Sequence, residues 1–156
     1  MFPREKPEEA RLRAATCLLN DTGWREHPDY RAEQVFLRIL RHPFLALGHE
    51  DRVMLAAALY VAAGGKLGKA APNSALELLD RERRHRAALM GAALRLAYVV
   101  SGGAIGVLAH AQLKPRRGRL DLELRSRALP ASQNVESALR RLVRAGNYHH
   151  GRVVMR

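Results

Sequence analysis

Cysteine and long apolar runs are scarce in this 156-residue sequence, and each scarcity excludes a class of protein. The single cysteine, Cys17, cannot form an intramolecular disulfide, which excludes a disulfide-stabilised secreted domain and favours a reducing cytoplasm. Its neighbours Leu18 and Leu19 predict that it is a buried, small apolar side chain. No apolar run reaches the ~18 residues that span a bilayer, and the charged start of the chain is not a secretory signal. We therefore expect a cytoplasmic protein that has no membrane partner.

Aromatic residues are also few: they make up 5% of the chain, although 47% of it is hydrophobic. Leucine, alanine and valine must therefore fill most of the core, and this composition favours packed helices. The length is that of one ordinary domain or of one part of a larger protein.

Acidic residues number 15, against 27 lysines and arginines, which gives a net charge of +12. Such an excess repels itself in a compact chain and favours a polyanionic partner such as polyphosphate, nucleic acid or an anionic membrane. The alternative is a surface on which the basic residues are only solvated. Charge alone does not separate these two interpretations.

Apolar residues recur at helical spacing through most of the first hundred residues. The predicted helices cover about residues 7–19, 31–41, 50–63 and 74–100, and the last of them is expected to break near Asp80. His42-Pro43 ends the second helix because the residue before a proline avoids the helical region, and Gly64-Gly65 ends the third. Residues 1–102 are therefore predicted to form a helical lobe.

The apolar pattern changes to strict alternation after Gly102-Gly103. Alternation over 105–113 and again over 120–125 predicts a β-hairpin with its turn at 114–118. A last helix is predicted to be capped by Ser132 or Asn134, and residues 153–155 are predicted to add a short strand. The buried residues of this last helix should be Val135, Ala138, Leu139, Leu142 and Val143. Residues 103–156 are thus predicted to form a small hairpin-plus-helix lobe that packs with the first lobe as one unit.

Two segments resemble the C-terminal half of the exopolyphosphatase and guanosine pentaphosphate phosphatase family. The first is LLNDTGWREHPDYRAEQ, Leu18 to Gln34, in which a helix end and a glycine turn precede an HPDYR segment. The second is LMGAALRLAYVVSG, Leu89 to Gly102, which is similar to the family's long helix. The resemblance implies a mainly α fold, with an HD-domain-like helical lobe followed by a small α+β lobe.

The resemblance also implies a function. Full-length relatives remove terminal phosphate from polyphosphate in an N-terminal actin-like domain with a divalent metal, expected to be Mg²⁺. The glycine-rich phosphate loops of that domain are absent from this sequence. The chain is therefore expected to be a non-catalytic C-terminal region that needs no cofactor itself, binds polyphosphate and forms a homodimer. Two questions stay open: whether Met1 is the natural start, and whether the parent prefers polyphosphate or guanosine pentaphosphate.

A stand-alone HD-type metal phosphohydrolase is the main alternative, because imidazoles and carboxylates are good metal ligands. The family's His-Asp pair is replaced here by Asn20-Asp21, and asparagine is a poor ligand for transition metals. The nearby histidines are scattered over turns and helix ends: His27, His42 and His49. We therefore predict no catalytic residue and no metal ligand in this chain.

Basic clusters are the candidates for holding polyphosphate, which carries roughly one negative charge per phosphoryl unit. The first cluster matches the family motif and comprises Arg25, His27 and Arg31. The second crowds the predicted hairpin turn and comprises Lys114, Arg116, Arg117 and Arg119. The run from Arg81 to Arg86 is better interpreted as a solvated helix face, paired with Glu77, Asp80 and Glu82.

A basic nucleic-acid-binding module is the remaining alternative. The sequence has no fingerprint of such a module, and it offers only four Tyr, three Phe and one Trp for base stacking. The lone tryptophan, Trp24, is predicted to pack between the lobes or beneath the turn from His27 to Tyr30. Nucleic acid is therefore not the partner we expect.

Overall fold

The computed structural model describes residues 5–68, 74–125 and 132–155. In these ranges the helices are α1 (Pro7–Leu18), α2 (Arg31–Arg41), α3 (His49–Ala62), α4 (Arg81–Ser101) and α5 (Gln133–Ala145). The strands are β1 (Ala111–Arg116), β2 (Arg119–Leu124) and β3 (His150–Met155). The predicted mainly α fold followed by a small α+β lobe is confirmed. No helix among the described residues is long and apolar enough to cross a membrane.

The chain divides into two compact units, and the boundary between Leu94 and Arg95 falls inside α4. The sequence predicted a boundary after residue 102, close to the end of the same helix at Ser101. We call the two parts the helical unit and the sheet unit. Each has its own buried side chains, and each carries one of the predicted basic clusters.

Helix α3 forms the centre of the helical unit. Every residue from Val53 to Ala62 is buried, because this stretch is apolar on all sides rather than along one stripe. Helix α2 covers it with an apolar face that includes Phe36, whose ring meets that of Tyr60 edge-on at 6.0 Å. At Gly91, α4 lies so close to the backbone of α3 that a side chain there would clash with Ala58. Small residues thus allow the helices to pack closely.

Helix α1 begins with a backbone-to-carboxylate hydrogen bond and buries only a narrow face. The backbone N–H of Lys6 donates to the Glu9 carboxylate at 2.7 Å, and Pro7 occupies the first turn. The buried face passes through Leu12 and Thr16, which are one turn apart. Cys17 is exposed, so its predicted burial is wrong: the next position in a helix is rotated by about 100° from the buried one.

Helix α4 starts later than the long predicted helix, at the expected break. A 3₁₀ turn at Ser74–Leu78 precedes it, and α4 itself begins at Arg81. The Asp80 carboxylate accepts a hydrogen bond from the backbone N–H of Arg83 at 2.7 Å, which is the geometry of a helix N-cap. The aspartate therefore ends one element and starts the next.

The sheet unit contains a three-stranded sheet in the order β1-β2-β3. Strand β1 is antiparallel to β2, whereas β3 returns through α5 to lie parallel to β2. Ser132 caps α5 by accepting from the N–H of Val135 at 3.4 Å, and the five predicted buried residues of this helix are all buried. Helix α5 packs on Gly151 of β3, where a Cβ atom would lie 2.6 Å from Val143 Cγ2.

The predicted first strand of the hairpin is wrong over its first half. Residues Val107–His110 form a 3₁₀ turn that follows Gly106, whose φ of 82° lies in the left-handed region. The strand then begins at Ala111 and continues through Pro115, which the sequence had assigned to the turn. Pro115 is tolerated because β1 is an edge strand of the sheet, where a missing N–H removes no ladder bond.

Candidate functional site

Strand β2 places leucines on one side of the sheet and acids on the other. Leu120, Leu122 and Leu124 are buried on the side where α5 packs over Gly151. The alternate residues, Asp121 and Glu123, are also buried, with 3% and 2% of their surface exposed. A buried carboxylate is costly unless a cation or hydrogen-bond donor compensates it. The polar side of the sheet must therefore supply partners for both acids.

Three basic side chains on this side supply them. Lys114 Nζ lies 2.8 Å from Glu123 Oε2. Arg119 holds Asp121 in a two-pronged contact, in which Nη2 donates to Oδ2 at 2.9 Å and Nε lies 2.8 Å from Oδ1. Arg116 reaches the same carboxylate from β1, with its Nε 3.2 Å from Oδ2. The acids are thus the fixed centre of a group of cations.

The strand register explains why these residues meet. Lys114 lies opposite Asp121, and Arg116 lies opposite Arg119, so these side chains share one side of the sheet. The ion pairs of Lys114 and Arg116 run diagonally to the neighbouring positions of β2. The acids at every second position of the central strand β2 therefore hold the basic residues of the edge strand β1.

Two further arginines, one in the hairpin turn and one on β3, add positive charge near these ion pairs. Arg117 in the hairpin turn is exposed, and Arg152 of β3 is exposed and lies in register with Asp121. Neither arginine forms an ion pair with any residue in the ranges that the structure describes. The side chain of Arg116 is also 53% exposed. We call this group the basic sheet surface: Lys114, Arg116, Arg117, Arg119 and Arg152.

The structure brings together all four basic residues that the sequence predicted in the hairpin, and it adds Arg152. The sequence does not reveal Arg152, because its place depends on the parallel pairing of β3 with β2, and α5 separates these two strands along the chain. Local patterns do not encode that pairing. The sequence signal for a basic residue here is the composition of the tail HHGRVVMR, which follows Tyr148 and contains two histidines and two arginines.

The other predicted cluster lies in the helical unit and is partly occupied by local contacts. Arg31 donates from Nε and Nη2 to the carbonyl oxygen of Glu26 at 3.1 and 2.9 Å, which ties the start of α2 to the preceding turn. His27 stacks on Tyr30 with 5.5 Å between ring centroids. Arg25 lies over the ring of Trp24, 4.8 Å from its centroid. Arg31 therefore stabilises the start of α2, whereas Arg25 is exposed to solvent.

Trp24 is 65% exposed, so its predicted packing beneath the HPDYR turn is wrong. Arg25 lies over its ring. The backbone N–H of Trp24 donates to the carbonyl of Asp21 at 3.2 Å and closes the 3₁₀ turn Asn20–Gly23. That turn places residue 24 at the outer surface of the helical unit.

Two arginines of the basic run that opens α4 form ion pairs, and of the three acids predicted as partners only Glu82 is among the acids with which they pair in the described residues. Arg83 Nη1 lies 3.1 Å from Asp51 and 3.3 Å from Glu50, both on α3. Arg86 pairs with Glu9 of α1 and with Glu82 of its own helix. These arginines join three helices, and their charge is locally compensated.

Comparison with known families gives a match that spans nearly the whole chain. The sequence pattern described as "Exopolyphosphatase, C-terminal" matches residues 3–153. The chain belongs to this family. The resemblance found in Leu18–Gln34 and Leu89–Gly102 is thereby confirmed. Comparison with curated proteins gives no match.

In this exopolyphosphatase C-terminal region, the geometry of the described side chains offers no cluster of metal ligands. Among the described residues, no group of three or more His, Cys, Asp or Glu side chains is arranged to hold a metal ion. Asp21 is exposed, and its carbonyl rather than its carboxylate makes the turn contact with Trp24. The side-chain chemistry of the basic sheet surface makes it the candidate site in this chain.

Proposed function

We propose that this exopolyphosphatase C-terminal region binds polyphosphate on the basic sheet surface, for a parent enzyme that removes terminal phosphate. The observation that carries the proposal is that the cations of this surface differ in how far they are already paired with carboxylates. The two buried carboxylates hold Lys114, Arg119 and Arg116, of which Arg116 is still 53% exposed. Arg117 and Arg152 are exposed and form no ion pair with a described residue. A guanidinium group matches a phosphate with two parallel N–H donors.

The electrostatics of this surface suit a long polyanion. The surface has five cations and two carboxylates, so it keeps a net positive charge after its internal ion pairs are counted. Release of counterions from the polyanion would favour binding at low salt, by the same physics as for nucleic acid. The pre-formed ion pairs lower the entropy that the side chains lose on binding.

The first prediction concerns three exposed arginines. The triple variant Arg116→Gln, Arg117→Gln and Arg152→Gln should bind long-chain polyphosphate about tenfold or more weakly at low salt, because three phosphate contacts are lost. The slope of log affinity against log salt should fall by roughly one for each lost contact. Fluorescence anisotropy with end-labelled polyphosphate over a series of salt concentrations measures both quantities.

A matched control removes the same charge elsewhere. Arg11, Arg41 and Arg144 are exposed on α1, α2 and α5, and their triple change to glutamine should leave most of the affinity in place. An equal loss in both triple variants would show that general charge, not the basic sheet surface, holds the polyanion. Absence of any polyphosphate binding by the unaltered chain at low salt would contradict the proposal itself.

We also propose that the chain forms a homodimer, as the family resemblance implies. The helical unit exposes three large apolar side chains that a second copy could cover: Leu18, Trp24 and Leu45 are 85%, 65% and 104% exposed. Sedimentation equilibrium should give twice the chain mass of 17.4 kDa at micromolar concentration. A mass that stays at that of the single chain up to the highest accessible concentration contradicts a dimer.

A further inference from the structure

A cavity of about 170 Å³ opens in the helical unit, between the end of α2, the start of α3 and the 3₁₀ turn Ser74–Leu78. Its wall is mostly apolar and includes Leu40, Val53, Ala75 and Leu78. Two basic residues of the first turn of α3, His49 and Arg52, complete the lining. A cavity of this size accepts a small molecule, since an apolar cavity of about 150 Å³ holds benzene.

Arg52 is half-buried, and one of its guanidinium donors lacks an acceptor. Its Nε atom is buried and has no hydrogen-bond partner. The two acids that precede it, Glu50 and Asp51, are turned to Arg83 instead. Within residues 5–68, 74–125 and 132–155, Arg52 makes no ion pair. A buried donor without an acceptor is unfavourable and is rare in folded proteins, so an acceptor from outside the chain is expected here.

We propose that this cavity binds a small amphipathic carboxylate, with the carboxylate on Arg52 and an apolar tail of about four carbons between Leu40, Val53 and Leu78. The Nε–H and the neighbouring Nη–H of a guanidinium form a fork that matches the two oxygens of a carboxylate. Pentanoate has this chemistry.

The local charges are compatible with an anion. The first turn of α3 has no side-chain cap, and its free N–H groups give this end a partial positive charge. Glu50 and Asp51 of the same turn share Arg83 at 3.3 and 3.1 Å, so one of their two negative charges is neutralised and Arg52 balances the other in the local charge count. An incoming carboxylate therefore meets an unpaired cation and a favourable helix end rather than bare negative charge.

The test is a titration of the full 156-residue chain with sodium pentanoate, followed by methyl ¹H–¹³C NMR. Pentanoate should shift the methyl signals of Leu40, Val53, Ala75 and Leu78 in a saturable way. Pentanamide has the same shape but no charge, and it should bind about tenfold or more weakly. Inorganic phosphate has charge but no tail, and it should leave these methyl signals unchanged at the same concentrations.

Arg52→Met provides the matched variant, because methionine keeps much of the apolar stem and removes the charge. It should weaken pentanoate binding about tenfold or more, while Arg41→Met on the exposed end of α2 should bind like the unaltered chain. Equal affinity for pentanoate and pentanamide, unchanged binding by Arg52→Met, or unshifted cavity methyl signals would each overturn the proposal. If Arg52→Met does not fold, the comparison of the two ligands on the unaltered chain decides.

Discussion

Asp121 is an acid at the centre of a basic surface, and its role at the scale of one residue is to position its neighbours. Simple charge counting says that removing a carboxylate from such a surface should strengthen the binding of a polyanion. The contacts lead us to expect the opposite, because Arg116 and Arg119 are both oriented by this carboxylate. Without it, the two guanidinium groups would have to be ordered by the ligand, at an entropic cost.

We therefore predict that Asp121→Asn binds polyphosphate several-fold more weakly than the unaltered chain, although it carries one negative charge fewer. The variant should also lose about 2 kcal/mol of unfolding free energy, because buried charge pairing is broken while the arginines can still reach solvent. Urea unfolding and anisotropy titration measure the two effects.

Glu136→Gln is the control for this prediction. Glu136 pairs with Arg140 at 3.7 Å on the exposed side of α5, and its side chain is 55% exposed. Its loss should cost only a few tenths of a kcal/mol. Tighter polyphosphate binding by Asp121→Asn would show that the carboxylate opposes the ligand instead of positioning the arginines.

At the scale of elements, the ends of the helices were predictable because their signals are local. Helix α2 runs from Arg31 to Arg41 as predicted, since His42-Pro43 cannot continue a helix. The beginning of the hairpin was not predictable from alternation alone, because Gly106 takes a left-handed φ that interrupts the extended backbone. Of the basic sheet surface, the hairpin residues could be found by local pattern, whereas Arg152 depends on a pairing across α5.

The contact between α3 and α4 gives a prediction at this scale. Gly91→Ala should lower the unfolding free energy by about 2 kcal/mol, even though alanine is the better helix former. The new Cβ atom would press on the Ala58 carbonyl and on Val61, and the backbone of a buried helix cannot move aside easily. Thermal and urea unfolding of the two proteins measure the loss.

Gly68→Ala is the corresponding control, because a Cβ atom at Gly68 would have open space around it. It should change the unfolding free energy by no more than about 0.5 kcal/mol. If Gly91→Ala is as stable as the unaltered chain, the helices are further apart at this point than the structure shows.

At the scale of the whole molecule, the net charge of +12 is unevenly distributed. At the start of α4, Arg83 and Arg86 form ion pairs with Glu9, Glu50 and Asp51, whereas Arg81 and Arg84 are exposed and form no ion pair with a described residue. The basic sheet surface keeps its excess, and its side of the three strands includes no Trp, Tyr or Phe on which a base could stack. The distribution of charge, rather than its total, favours a polyanion without bases.

We predict that long-chain polyphosphate displaces a single-stranded oligonucleotide from the chain when both are present at equal phosphate concentration. Base stacking contributes about 1–3 kcal/mol per base in proteins that bind single strands, and no Trp, Tyr or Phe lies on this side of the three strands. A competition titration with a fluorescent oligothymidylate measures the displacement. Stronger retention of the oligonucleotide would favour a nucleic-acid-binding function.

The parallel pairing of β3 with β2 has a consequence for biosynthesis. Strand β2 has its antiparallel neighbour as soon as the hairpin has left the ribosome, but its other edge waits for residues 150–155. During that interval the buried leucines of β2 first lack both α5 and β3 and then lack β3 alone, so the sheet unit cannot complete its core until β3 has been synthesised. The helical unit, whose contacts lie earlier in the chain, is free to fold first on the nascent polypeptide.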